Sequence, residues 1–126
     1  MKKSIVLVLA TIVITLISGC STVQITELEQ LNGQPIALQG QSVAHLNAEN
    51  WGLYFCGIPL ITGGVEEADT TAWFSDTVNV PNVVNLATKT ARKIGGRKTL
   101  DMTSEWHDIG FILYVKKCQV SANVVR

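Results

Sequence analysis

The side chains able to do chemistry are few and scattered. Cysteines stand at Cys20, Cys56 and Cys118, and histidines at His45 and His107. No Cys-x-x-Cys pair occurs, the spacing that activates a thiol for redox exchange, so thiol-redox catalysis is not expected. His107 lies in Glu105-Trp106-His107-Asp108, where an imidazole among carboxylates could hold a metal or move a proton. It has neither a second histidine at helical spacing nor a neighbouring cysteine, and a polar hairpin turn is the better reading. Glu66, Glu67, Asp69 and Asp76 lack the ordered spacing of a calcium loop and read as solvated charge. No Gly-x-Ser-x-Gly elbow is present, and Gly63-Gly64 and Gly95-Gly96 fall short of a phosphate-binding loop. The expectation is no catalytic set, no metal and no cofactor, hence not an enzyme.

Cys20 differs because of what precedes it. The chain opens Met1-Lys2-Lys3 and runs without a charge from Ser4 to Ser18. A basic start, an apolar middle and a small-residue end form the three-part order of a secretory signal. Ile5 to Ile17 is short of the roughly 20 apolar residues that a permanent span takes. Ile17-Ser18-Gly19-Cys20 resembles the lipobox of bacterial lipoproteins. That resemblance implies cleavage between Gly19 and Cys20 and a diacylglycerol on the Cys20 thiol. It also implies outer-membrane delivery, because Ser21 stands where the family's inner-membrane retention signal is an aspartate. Residues 1–19 are then a signal peptide, 20–42 a lipid-anchored polar linker, and 43–126 a single periplasmic α+β domain.

Once Cys20 carries lipid, Cys56 and Cys118 remain, and an oxidising periplasm invites a disulfide between them. Each also sits among apolar residues, where a cysteine can be merely a small buried side chain. The linker reading rests on Ser21 to Ser42, which is rich in glutamine and broken by Gly33, Pro35 and Gly40. A short strand at Pro35 to Gln39 is the one element expected within it.

The precursor is formally neutral, with ten basic and ten acidic side chains, but their order is uneven. Every charge from Cys20 to Thr88 is acidic, whereas basic residues dominate from Lys89 onward. Such asymmetry can mark an anionic partner, but mutual neutralisation of the two halves across the fold is the preferred reading. A nucleic acid partner does not suit the compartment.

Around these residues the elements are readable. Ala44, Leu46 and Ala48 alternate with His45, Asn47 and Glu49, the period of a half-buried strand. Trp51 to Ile58 is apolar on both faces and reads as a central strand that Pro59 and Gly63-Gly64 terminate. Val65 to Thr77 reads as an acidic loop. Val80, Val83, Val84, Ala87, Ala91 and Ile94 recur at helical steps. Asn79 can cap that helix, Pro81 suits its first turn, and Gly95-Gly96 supply the stop. A strand around Leu100 and Met102, a turn from Glu105 to Gly110, and a final strand from about Ile109 to Val125 complete the order. The expected fold is α+β: a mainly antiparallel sheet with one long amphipathic helix on one face. The part from the helix onward, with Ala87, Ala91, Ile94, Gly95 and Gly96, resembles small periplasmic lipoproteins of the TRL-like family. That family carries no assigned activity, so it contributes no site residues.

The functional expectation is an envelope structural or protein-interaction module, with a small-ligand-binding lipoprotein as the alternative. Its partners would be the membrane, through the lipid on Cys20, and another envelope protein. Leu60, Ile61, Trp73 and Phe74 lie among breakers and acids and are the candidate contact surface, since apolar patches left exposed tend to mark interaction sites. Folding back of these side chains onto the sheet is the competing reading. A pocket lined by Trp51, Tyr54, Trp73 and Phe74 would favour a ligand carrier.

Overall fold

The computed structural model describes residues 4–8, 20–27 and 42–126. Residues 4–8 form a short helical segment, α1, whose apolar side chains are exposed. Then follow β1 (Ser21–Glu27), β2 (Ser42–Phe55), β3 (Ile58–Gly63), β4 (Thr71–Trp73), α2 (Val80–Lys93), β5 (Lys98–Gly110) and β6 (Leu113–Val125). The Ile17 to Gly19 cleavage motif, the rest of the expected linker at 28–41 and its strand at Pro35 to Gln39 lie outside the described residues.

All strand pairs are antiparallel, in the order β4-β3-β2-β6-β5. β2 is the axis. β6 runs along one edge of it from Ser42 to Phe55, while β1 and β3 share the other edge end to end. β1 takes Ala44 to Asn50 and β3 takes Gly52 to Phe55. On β2 the even-numbered residues from Ser42 to Tyr54 are buried and their odd-numbered neighbours half-buried, the signature of a strand covered on one face. Leu46, Ala48, Cys118, Val120 and Val124 of the sheet meet Val78 and Val83, Ala87 and Ala91 of α2. The alanines let helix and sheet backbones approach closely.

α2 forms where its local signals place it. Asn79 accepts the Asn82 N–H at 3.0 Å, satisfying one of the donors a helix start leaves orphaned. At the other end Gly95 takes φ +85°, its N–H reaches the Arg92 carbonyl, and the Gly96 N–H reaches that of Ala91. These crossed bonds are a Schellman stop, which needs a residue tolerant of the left-handed region at Gly95. The helix is 14 residues long, or about 21 Å, whereas β2 with the same number of residues extends for about 48 Å. The long helix expected from the sequence is therefore of ordinary length, and β5 stays largely exposed beside it.

Three further expectations are corrected. Ser21–Glu27 is a strand rather than a tether, because Val23 and Ile25 alternate with Thr22, Gln24 and Thr26 and so offer one apolar face; Val23 packs against the core. Ile58–Gly63 pairs with β2 instead of ending the regular structure. Cys56 and Gly57, at φ +48° and +84°, make the two-residue turn whose twist matches a hairpin. Finally, Glu105 to Gly110 continues β5, and the turn lies at Phe111 and Ile112. The cross-strand pair Asp108 with Lys116 places opposite charges side by side, which favours extension of the ladder.

The acidic and basic halves of the sequence do meet. Lys89 pairs with Glu66 at 2.9 Å, Lys93 with Glu67 at 3.9 Å, Lys117 with Glu49 at 2.8 Å and Lys116 with Asp76 at 3.8 Å. Lys89 holds the exposed Glu66 carboxyl below its ordinary pKa.

Candidate interaction surface

The face of the sheet turned away from α2 is divided along its length. Near the Ser42 end it is polar: His45 Nδ1 lies 2.8 Å from Asn123 Oδ1, Ser121 donates to Asn47, and Asn123 donates to Asp101. Toward the Phe55 end it is apolar. The register aligns Trp73, Ile61, Leu53, Val115 and Ile109 in one row that crosses every strand from β4 to β5. Cross-strand neighbours share a face, so the five side chains form a continuous band. Ile58, Phe55 and Leu113 make the next row. Beyond them stand Phe111, 92% exposed, and Ile112.

The tips of the β2–β3 and β5–β6 hairpins are joined, since the Cys56 N–H donates to the Ile112 carbonyl at 2.8 Å. Neither Phe55 to Leu60 nor Ile109 to Val115 contains a charge. The charges stop at a definite level: Asp108, Lys116 and Gly52 are aligned, and so are His107, Lys117 and Trp51. The Trp51 N–H donates to the Cys20 carbonyl at 3.0 Å. Cys20 thus lies at the level where the charged residues end.

On the helix side a cluster of aromatic and charged groups straddles this level, from Trp106 and Lys116 to Tyr54 and Tyr114 nearer the tips. Tyr54 and Tyr114 stack with centroids 5.2 Å apart. Lys116 Nζ lies 5.2 Å from the Tyr54 ring and 4.7 Å from the Trp106 ring, within cation–π range. The Tyr54 hydroxyl donates to Asp76 Oδ1 at 2.5 Å. Burial first, then this bond and the negative charge of Asp76, hold the Tyr54 phenol protonated well above its ordinary range. Asp76, its side chain still 56% exposed, is held by Tyr54 and Lys116, which makes the cluster a brace between β2, β6 and the loop before α2.

Of the four residues expected to form a contact surface, Trp73 and Phe74 are exposed, at 56% and 72%, and Leu60 is half-buried. Ile61 is only 8% exposed and is removed from that set, because Trp73 and Leu53 flank it in the row. The sequence reading missed the hairpin tips, where Ile109, Phe111, Ile112 and Leu113 are all exposed. Their signal was an apolar run with Gly110 in its middle, read instead as the start of a buried strand.

The Cys56–Cys118 bond does not form. Cys56 is an exposed turn residue beside Ile112, while Cys118 is buried opposite Asn50. Six residues of β2 separate those positions, or about 20 Å at the antiparallel rise, against the roughly 6 Å between Cα atoms that a disulfide requires. Burial raises the Cys118 thiol pKa, partly countered by Lys116, and burial raises that of Cys20. Both are kept as neutral thiols. Cys20 has no exposed surface, so a lipidated Cys20 side chain must turn outward from this position.

The expected aromatic pocket is not assembled. Tyr54 faces α2, whereas Trp51 and Trp73 belong to the opposite face. A cavity of about 270 Å³ lies instead at the far end of the molecule, lined by Thr88, Ala91, Arg92, Gly96, Arg97, Lys98 and Thr99. His107 Nε2 is 3.6 Å from Glu105 on the exposed surface of β5, remote from His45. Among the described residues, no group of three or more His, Cys, Asp or Glu could hold a metal ion, and no helix is long and apolar enough to cross a membrane. The chain matches no family model, no curated protein and no solved structure.

Proposed function

We propose that this chain is an outer-membrane lipoprotein, anchored through Cys20, whose domain acts by contact as an envelope structural or interaction module and not as a catalyst. The observation that carries the contact reading is the uncharged end of the sheet, where Trp73, Ile109 and the hairpin tips expose neighbouring large apolar side chains, the kind of patch that marks an interaction site. The anchor reading comes from the basic start, the apolar segment and the Ile17-Ser18-Gly19-Cys20 motif.

Intact mass of the mature protein after expression in a Gram-negative host tests the anchor. The expected mass is that of residues 20–126 plus acyl and glyceryl groups; a chain starting elsewhere without added acyl mass overturns it. Photocrosslinking from positions 73 and 111 tests the contact surface. Capture of an envelope component from these positions and not from Lys89 or Lys93 supports it, while capture from the helix alone moves the interface there.

A further inference from the structure

We infer that the apolar end of the sheet is immersed in the lipid leaflet that holds the anchor. The inference deepens the lipoprotein reading and rests on it for the direction in which the domain is held.

With Ser21–Glu27 paired to β2, no flexible segment separates Cys20 from the sheet. Antiparallel pairing places Cys20 on the Phe55 side of Ser21, beside Trp51. An anchor at Cys20 therefore holds that end of the sheet at the bilayer. From Trp51 to Phe55 the strand continues for about 14 Å, so the tips project beyond the anchored residue on the side where the lipid lies.

Asp108, Lys116, His107 and Lys117 align with Trp51 and Gly52, at the level of Cys20. Past that level the hairpins carry no ionised side chain, and the nearby Asp76 is tied to Tyr54 and Lys116. A charge in hydrocarbon costs several kcal/mol, so a sheet end with no ionised side chain past this level, apart from the Lys116-paired Asp76, suits a membrane interface. Trp106 and Tyr114 stand near the boundary, as aromatic residues do in interfacial belts.

Lipid offers no hydrogen bonds, and unpaired peptide groups are costly within it. Here the Cys56 N–H is taken by Ile112, and β6 is paired on both sides as far as Leu113 and Tyr114. The tip backbone of β6 is thus satisfied internally, while β5 is the edge of the sheet.

The test uses the mature acylated protein reconstituted in phosphatidylethanolamine–phosphatidylglycerol vesicles. A nitroxide is placed by Phe111→Cys, and in a second sample by Arg92→Cys, both with Cys56→Ser. Phe111 and Arg92 are exposed, so neither change disturbs the core. At position 111 the expected result is a several-fold loss of collisions with a water-soluble nickel chelate and a gain in collisions with oxygen, relative to position 92. Equal nickel accessibility at both positions overturns immersion. So does a position-111 label open in pure lipid vesicles but shielded in native envelopes, which assigns the surface to a protein. The mass of the same samples reports acylation separately. Missing acyl groups overturn the anchor, whereas a water-exposed label on an acylated chain overturns the immersion alone.

Discussion

Asn50 donates its side-chain amide to the Gly63 carbonyl at 3.4 Å, across the seam where β1 and β3 meet on the edge of β2. Thr77 donates to the same carbonyl at 2.6 Å, and Asn50 also donates to the Thr77 carbonyl. A β-carbon on Gly63 would overlap Asn50 Oδ1 and press on the Cys20 backbone. Gly63→Ala should therefore lower stability by about 3 kcal/mol, the upper range for overpacking. At Gly57 the space is open and only the positive φ opposes a side chain, so Gly57→Ala should cost about 1 kcal/mol. Urea unfolding of the two variants measures the difference; equal losses would remove the seam from the explanation.

The start of α2 depends on one side chain. Asn79→Ala deletes the acceptor for the Asn82 N–H and should destabilise the domain by about 1 kcal/mol. Asn79→Asp should retain most of the stability, because its carboxylate accepts the same bond and favours the positive helix end. Thermal melts of the pair provide the check.

The cysteines should behave as isolated thiols. In native mature protein a thiol reagent should modify Cys56 rapidly and leave Cys118 untouched, since one is exposed and the other buried. Denatured, unreduced protein should show both labelled. A mass lower by two hydrogens with no labelling would mean that the sheet register is wrong.

Stability should fall at alkaline pH through Tyr54. The folded state holds this phenol protonated beyond the ordinary pKa of 10.0, so above that value the unfolded chain binds fewer protons than the folded one. The sign follows from linkage: the contribution is complete below the unfolded pKa and is lost as pH rises through the folded value. Tyr54→Phe should flatten the decline. In a Tyr114→Phe chain, phenolate absorbance should appear only with unfolding; a free titration at the ordinary pKa would show that Tyr54 is not held by Asp76.

Several features were legible in the sequence because they depend on residues within a few positions of one another. The α2 stripe, its Asn79 cap and its Gly95 stop belong to this class, as does the period-two burial of β2. The exposed hairpin tips were also written locally, in Cys56-Gly57 and in the uncharged run around Gly110, but an apolar run reads equally as a buried strand. Whether it is buried depends on what covers the sheet, and α2 packs on the face that carries Leu46, Ala48 and Val120. The row of Leu53, Val115 and Ile109 lies on the opposite face, which no helix among the described residues covers.

Register was decided only in three dimensions. Two cysteines in an oxidising compartment suggest a bond, yet the β2–β6 ladder sets Cys118 opposite Asn50 and Cys56 beyond it at the tip. The same ladder brings Trp73, Ile61, Leu53, Val115 and Ile109, scattered over three separate stretches of sequence, into one row. Composition and order made the segments apolar. Hydrogen bonding between distant strands fixed which side chains became neighbours, and a shift of one residue would have sent each of them to the opposite face.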